Sequence, residues 1–155
     1  VTAGADGQWA VTLPPAPATL TPATLTVHAT LAGATTTIEL TDVVVGDVFF
    51  ASGQSNMELS IACTEDYQQY LDDYAALAPR LRVMAVALVD ANITAPATNF
   101  TAMLPWQRVS ATDARFSTLF SAVAFYRGVE AALARPDVPV GLIESAWGGT
   151  AIQVW

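Results

Sequence analysis

The chain has 155 residues, of which 53% are hydrophobic and 13% charged, so it can bury a substantial core and is not disordered. Its formal net charge is −8, and its six basic residues are scattered arginines. This balance excludes the basic surface that nucleic acids need and disfavours anionic membranes. No apolar run approaches the roughly 20 residues of a membrane helix. The length suits one domain or parts of two, with neither nucleic acid nor membrane as a partner.

The first 45 residues alternate apolar and polar side chains in the manner of β-strands. Strands are predicted at residues 8–13, 25–31 and 35–42, separated by turns rich in Gly, Ala and Pro. The alternation places His28, the single histidine, on the polar face of its strand, which is typical of a surface or hydrogen-bonded residue. Residues 1–45 are therefore predicted to be part of a β-sandwich domain.

From residue 43 onwards, apolar strands alternate with helices. Continuous apolar runs predict buried strands, and apolar spacing of three and four predicts helices. In chain order these are strand 43–51, helix 65–78, strand 81–89, helix 119–134 and strand 138–143. The first strand is expected to be central and covered on both faces, and residues 90–118 to be irregular. The fold class is therefore α/β, with helices and a parallel sheet.

The last helix, 119–134, has a broad apolar stripe. The side chains predicted on its buried face are Phe120, Val123, Ala124, Val129 and Leu133.

Two loops rich in small residues, 53–57 and 145–150, follow the first and the last of these strands. Ligands bind beyond the carboxyl ends of such strands, so both loops are expected at one site. Glycine-rich backbone can bring N–H groups close to a developing oxyanion. Ser55 is a candidate nucleophile, although Met57 stands where the Gly-x-Ser-x-Gly elbow has its second glycine. From chemistry alone, a serine in such a turn is more commonly a helix cap.

Residues 46–58, Gly-Asp-Val-Phe-Phe-Ala-Ser-Gly-Gln-Ser-Asn-Met-Glu, resemble the nucleophile block of the sialate O-acetylesterase family, a branch of the SGNH hydrolases. Residues 138–155 resemble the family's second block, and residues 120–128 its preceding helix. The segment 6–14 resembles its β-domain. The resemblance implies that residues 46–155 are the first part of a three-layer α/β/α SGNH-like esterase domain, preceded by part of a β-sandwich at 1–45.

The resemblance also implies an activity and a set of site residues. The activity is removal of O-acetyl groups from sugars, with sialic acid esters suggested by the family. Ser55 would form an acetyl-enzyme, and its own N–H would share the oxyanion hole with that of Gly148 or Gly149. The residues implied to shape the substrate pocket are Gln54, Asn56, Trp147 and Thr150. No cofactor is implied, and no His, Cys and carboxylate cluster indicates a metal.

The family's general base, an Asp-x-x-His pair, has no counterpart in this sequence. Leu25 stands three residues before His28, where the pair would need an aspartate. Serine is a weak nucleophile without a base, so the chain is expected to be a fragment of an esterase, inactive on its own. The alternative is a non-catalytic carbohydrate-binding protein with a degenerate pocket. A third possibility is a fragment with no independent role.

Two Asn-x-Thr sequons, at Asn92 and Asn99, fall in the irregular segment. Together with the family resemblance they favour a secreted or lysosomal protein. The oligomeric state is left open by the sequence.

Three carboxylates, Asp47, Glu58 and Glu144, flank the two loops. They could orient a catalytic group or a sugar hydroxyl, but a loop or capping hydrogen bond is the more common role. Cys63 is the single cysteine, and it is expected to be a small apolar residue near the core.

Overall fold

The computed structural model describes residues 1–89 and 100–151. An antiparallel ribbon of two strands comes first, β1 (Thr19–Leu31) and β2 (Ala34–Val45). The turn between them places Gly33 at φ +84°, a conformation that favours glycine. The strand predicted at 8–13 is wrong, because those residues are exposed and lie in no strand. The assignment of residues 1–45 to a separate domain stays a prediction.

A second sheet has four strands in the order β3-β6-β4-β5. Its strands are β3 (Asp47–Gly53), β4 (Leu81–Val86), β5 (Ala102–Arg108) and β6 (Val140–Ala146). β6 pairs in parallel with both β3 and β4, so the predicted α/β class with a parallel sheet is confirmed. β5 pairs antiparallel with β4 and falls in the segment predicted to be irregular. Pro105 argued against a strand there, but an edge strand tolerates proline.

Helices connect these strands. They are α1 (Ser55–Glu58), α2 (Tyr67–Asp73), α3 (Ala114–Leu119) and α4 (Ala122–Ala134), with single 3-10 turns at Ile61–Cys63 and Ala75–Leu77. Of these, α3 and α4 begin at the side-chain caps Asp113 and Ser121. The single helix predicted at 119–134 is interrupted, because Phe120 is extended and Ser121 caps α4 by accepting the Ala124 N–H at 3.1 Å. None of the described helices is long and apolar enough to cross a membrane.

The core lies between α4 and the centre of the four-stranded sheet. Phe125 and Val129 of α4 are buried. The missing side chain of Gly128 lets the helix approach the sheet, because a Cβ there would lie 2.4 Å from Cδ1 of Leu142. Val123 and Leu133, predicted to be buried, are 47% and 45% exposed. The broad apolar stripe did not define which side of the helix faces the sheet.

The apolar run 43–51 is not one central strand. It divides at Gly46, where a Cβ would lie 2.1 Å from the carbonyl oxygen of Pro139. In the described chain β3 lies at the edge of the four-stranded sheet, and Val48 and Phe50 are 62% and 66% exposed. The prediction of a strand covered on both faces is therefore wrong here, because apolar continuity marks a strand without fixing its place in the sheet.

Asp42 joins the ribbon to the four-stranded sheet. Its carboxylate accepts hydrogen bonds from Arg108 at 2.6 and 2.9 Å and from Arg82 at 3.0 Å. These bonds, led by those from Arg108, lower the pKa of Asp42 to about 2. A cavity of about 700 Å³ lies beside this ion pair, at the amino ends of β3 and β6. Ser55 follows the opposite, carboxyl end of β3.

Candidate active site

Strands β3 and β6 bring the two small-residue loops together. In their parallel register Ser52 lies opposite Ser145, and Gly53 opposite Ala146, at the carboxyl end of both strands. The Ser52 hydroxyl donates to the carbonyl of Ser145 at 2.8 Å, and the Trp147 N–H donates to the carbonyl of Gly53 at 2.9 Å. The adjacency expected for the two loops is therefore present.

Ser55 is the first residue of α1 and is exposed. The turn before it is closed by the Met57 and Glu58 N–H groups, which donate to the Gln54 carbonyl at 2.8 and 3.0 Å. Its hydroxyl donates to Oε1 of Gln54 at 3.2 Å. An amide oxygen is not a base at neutral pH, so this bond orients the hydroxyl without activating it.

Gly148 approaches both ends of α1. A Cβ on Gly148 would lie 3.6 Å from Oγ of Ser55 and 2.4 Å from Oε2 of Glu58. Its N–H donates to Oε2 of Glu58 at 2.7 Å, a charge-assisted hydrogen bond. Gly149 adopts φ +77°, the left-handed conformation that favours glycine. The two glycines therefore have different physical requirements: close approach at Gly148 and backbone conformation at Gly149.

A shallow pocket of about 300 Å³ opens beside Ser55. The residues that line it are Ser52, Gly53, Gln54, Asn56, Met57 and Val123. Two of the four predicted pocket residues, Gln54 and Asn56, are thus on its wall. Trp147 and Thr150 are not, and the Thr150 hydroxyl donates to the Trp147 carbonyl at 2.5 Å. Sequence reasoning missed Val123, because apolar periodicity assigned it to the core.

The flanking carboxylates make the hydrogen bonds and ion pairs expected of structural residues. Glu144 is only 4% exposed, and its Oε2 accepts the Ser121 N–H at 2.9 Å. Burial raises the pKa of Glu144 to about 7, and the nearby charge of Glu58 adds to this rise, while the bond from Ser121 opposes it. Asp47 forms an ion pair with Arg135. Of the three, Glu58 and Glu144 lie closest to the two loops.

His28 lies in the exposed ribbon. Its Nδ1 hydrogen-bonds to Oγ1 of Thr37, its cross-strand neighbour, at 2.9 Å, as expected for a hydrogen-bonded surface histidine. Asn92 and Asn99 lie outside the described residues. Within residues 1–89 and 100–151, no group of three or more His, Cys, Asp or Glu could hold a metal. Cys63 is exposed, which contradicts the core position predicted for it, because the turn that carries it lies at the surface.

The parallel sheet carries the Ser55 turn and the glycine loop at the carboxyl ends of β3 and β6, which defines the chain as an α/β domain with a candidate serine site. The structure is similar to that of a carbohydrate acetylesterase from Xanthomonas citri, with a TM-score of 0.79 and 31% identity over 100% of this chain and 33% of that chain. No family model matches the sequence.

The curated relatives of the chain are sialate O-acetylesterases. The protein of Mus musculus is 32% identical over 122 residues, which cover 77% of this chain and 22% of that protein. The protein of Homo sapiens is 31% identical over 124 residues, 77% of this chain and 23% of that protein. The chain is therefore a homologue of the sialate O-acetylesterases, as its motifs predicted, and it spans about a fifth of their length.

Proposed function

We propose that this chain supplies the nucleophile of a serine carbohydrate esterase that removes O-acetyl groups from sugars. The observation that carries the proposal is the approach of Gly148 to Ser55, whose Oγ would lie 3.6 Å from a Cβ on that glycine. An ester carbonyl placed at Ser55 would therefore meet the backbone of the glycine loop. The names of the relatives support an acetylated sugar as substrate, and sialic acid O-acetyl esters are the first class to test.

In this reaction Ser55 Oγ forms a bond to the acetyl carbon, and the bond from that carbon to the sugar oxygen breaks. The sugar leaves with a proton, and water then releases acetate from the acetyl-serine. The oxyanion would accept hydrogen bonds from the N–H groups of Ser55 and Gly149. Gly149 is the favoured partner because the Gly148 N–H is already bonded to Glu58. Losing one such donor costs about 3 kcal/mol of transition-state stabilisation.

The pocket beside Ser55 would hold the sugar. Gln54 and Asn56 lie on its wall and offer amide groups to sugar hydroxyls. Trp147 and Thr150 follow the end of β6 and would contact the substrate only at the rim of the site.

Among residues 1–89 and 100–151, no basic side chain is hydrogen-bonded to the Ser55 hydroxyl. The Ser55 hydroxyl donates to Gln54, and the one histidine of the chain is bonded to Thr37 in the ribbon. We expect the isolated chain to show little turnover, with the base of the complete enzyme supplied by a histidine that this sequence does not contain.

The second candidate function is carbohydrate binding without catalysis. The bond from Ser55 to an amide oxygen favours it, because a pocket that lacks a base still offers amide groups to a sugar. The two candidates differ in the reactivity of Ser55, so a covalent probe separates them.

The experiment is labelling of the chain with a fluorophosphonate, with and without added imidazole as an external base. The expected result is slow labelling of the peptide that contains Ser55, faster in imidazole and abolished by Ser55→Ala. Ser60→Ala is the matched control, since Ser60 lies just beyond α1 and bonds to Cys63. Labelling that survives in Ser55→Ala, or none even with imidazole, would favour the binding protein. Ser55-dependent turnover of an acetyl ester without imidazole would refute the inference that the chain lacks a base for Ser55.

A secreted or lysosomal location is also part of the proposal, supported by the two sequons at Asn92 and Asn99. Protein from the native source should lose mass on enzymatic deglycosylation. An unchanged mass would remove this support.

A further inference from the structure

Glu58 connects the nucleophile helix to the glycine loop. It is the last residue of α1, three residues after Ser55, and its Oε2 accepts the Gly148 N–H at 2.7 Å. The two residues are 90 positions apart in the sequence. This bond orients the peptide group that ends at Gly148, and the next N–H along the chain belongs to Gly149. The carboxylate thus fixes the backbone of the glycine loop where Gly148 approaches Ser55.

Glu144 lies beneath this connection, in the middle of β6. Its neighbours in register are Ala51 on β3 and Ala85 on β4, neither of which carries a charge. At the N-cap of α4, Ser121 donates its N–H to Glu144 at 2.9 Å and its hydroxyl to Sδ of Met57 at 3.4 Å. From α1, the charged group that acts on Glu144 is the carboxylate of Glu58.

No arginine compensates these two carboxylates in the part of the chain that the structure describes. The ion pairs found there involve Asp42 and Asp47 instead. A second negative charge under α1 therefore acts on Glu58 in surroundings where charge interactions are stronger than in bulk water.

We propose that Glu58 is the positioning residue that holds the Gly148–Gly149 loop against Ser55, and that ionisation of Glu144 weakens this hold as the pH rises. Burial raises the pKa of Glu144 to about 7, which puts the change within the neutral range. Below that pH Glu144 is neutral. Above it Glu144 is charged, and its repulsion of the Glu58 carboxylate opposes the bond from Glu58 to Gly148. The link to acyl transfer rests on the proposed function, whereas the bond itself does not.

The test follows the backbone amide of Gly148 by NMR while the pH is raised from about 5 to about 9. In the wild-type chain the Gly148 amide shift is expected to change with a midpoint near the pKa of Glu144, and a carboxyl-carbon titration of Glu144 should give the same midpoint. Glu144→Gln should remove this change. Glu58→Gln should increase hydrogen exchange at Gly148 about tenfold or more, because a charge-assisted bond is replaced by a weaker one. Glu65→Gln, at an exposed position outside the site, is the control of equal charge.

Three outcomes would overturn the proposal. The first is a Gly148 midpoint that persists in Glu144→Gln, and the second is exchange at Gly148 that is equal in Glu58→Gln and Glu65→Gln. The third, which needs no variant to fold, is a mismatch between the wild-type midpoints of Gly148 and Glu144. These measurements need no substrate and should be unchanged in Ser55→Ala, so they can succeed or fail independently of the esterase proposal.

A second readout tests whether the loop matters for Ser55. The rate of fluorophosphonate labelling in Glu144→Gln, divided by the wild-type rate, should be about 1 at pH 6 and rise severalfold by about pH 9. The ratio cancels the intrinsic increase of serine reactivity with pH. A ratio that stays constant while the Gly148 amide responds would show that Glu58 does not position the loop for Ser55.

Discussion

Replacing Glu144 with glutamine tests how strongly the buried carboxyl opposes folding. The substitution keeps the side-chain shape and an oxygen that can accept the Ser121 N–H, now 2.9 Å away. Burial raises the pKa of Glu144 from an ordinary value of 4.5 to about 7. Each pKa unit by which the folded state differs from the unfolded state corresponds to about 1.4 kcal/mol. Ionised Glu144 therefore destabilises the fold by about 3 kcal/mol.

The direction in which stability changes with pH follows from proton binding. The folded state holds the Glu144 proton more tightly than the unfolded state does, so the free energy of unfolding falls as the pH rises from about 4.5 to about 7. Below this window the carboxyl is neutral in both states and costs nothing. Above it the full penalty of about 3 kcal/mol is present. Glu144→Gln has no such penalty, so it should gain stability relative to the wild type between pH 5 and pH 8.

Urea denaturation at about pH 5, 6, 7 and 8 measures this difference directly. An unsatisfied amide N–H in Glu144→Gln would shift its stability by a constant and would leave the pH dependence of the difference intact. Glu65→Gln, which changes an exposed carboxylate, should follow the wild-type curve. Parallel curves for Glu144→Gln and the wild type would show that Glu144 is already ionised in the folded chain at pH 5, or is hydrated, and would refute the reasoning.

Three further substitutions test two close contacts and an ion pair of the fold by the same denaturation measurement. Gly128→Ala should destabilise the chain by about 1 to 3 kcal/mol, because its Cβ would lie 2.4 Å from Cδ1 of Leu142; a smaller loss would mean that Leu142 moves aside. Gly46→Ala should cost more than Gly128→Ala, because its Cβ would meet the backbone oxygen of Pro139 at 2.1 Å and backbone cannot rotate away; the opposite order would contradict this. Asp42→Asn should cost about 1 kcal/mol or less at neutral pH, since the side chain is 39% exposed. The wild type should lose this contribution as the pH falls from about 4 to about 2, and equal acid sensitivity in Asp42→Asn would count against the ion pair.

The architecture was predictable where a physical rule acts locally. Continuous apolar runs separated by helices predicted the parallel strands, and the position of ligands at carboxyl ends predicted that loops 53–57 and 145–150 meet. These rules failed where the position of a segment in the folded chain decides its secondary structure. Pro105 disfavours a central strand but is compatible with β5 at an edge. The turn at Phe120 interrupts a helix that periodicity alone makes continuous.

The site was predictable to a smaller extent. Motif resemblance identified Ser55, and the structure brings it beside Gly148. The bond from Gly148 to Glu58 depends on how α1 and the end of β6 are placed in space, which residue spacing does not encode. Val123 shows the same limit: its apolar side chain fits the helical stripe, yet it lies on the pocket wall. Sequence patterns found the candidate nucleophile but not the contacts that position its surroundings.

The pairing of β3 with β6 explains why the Ser55 turn and the glycine loop lie together. Their register fixes Gly53 opposite Ala146, and the bond from Trp147 to Gly53 continues this pairing into the loops. The distance between Ser55 and Gly148 is therefore set by backbone geometry, with Glu58 as the side chain that closes the connection. The Ser55 hydroxyl, by contrast, bonds only to the side chain of the preceding Gln54 among the residues that the structure describes. A base that approaches Ser55 has to displace one exposed hydrogen bond and leaves the strands unchanged.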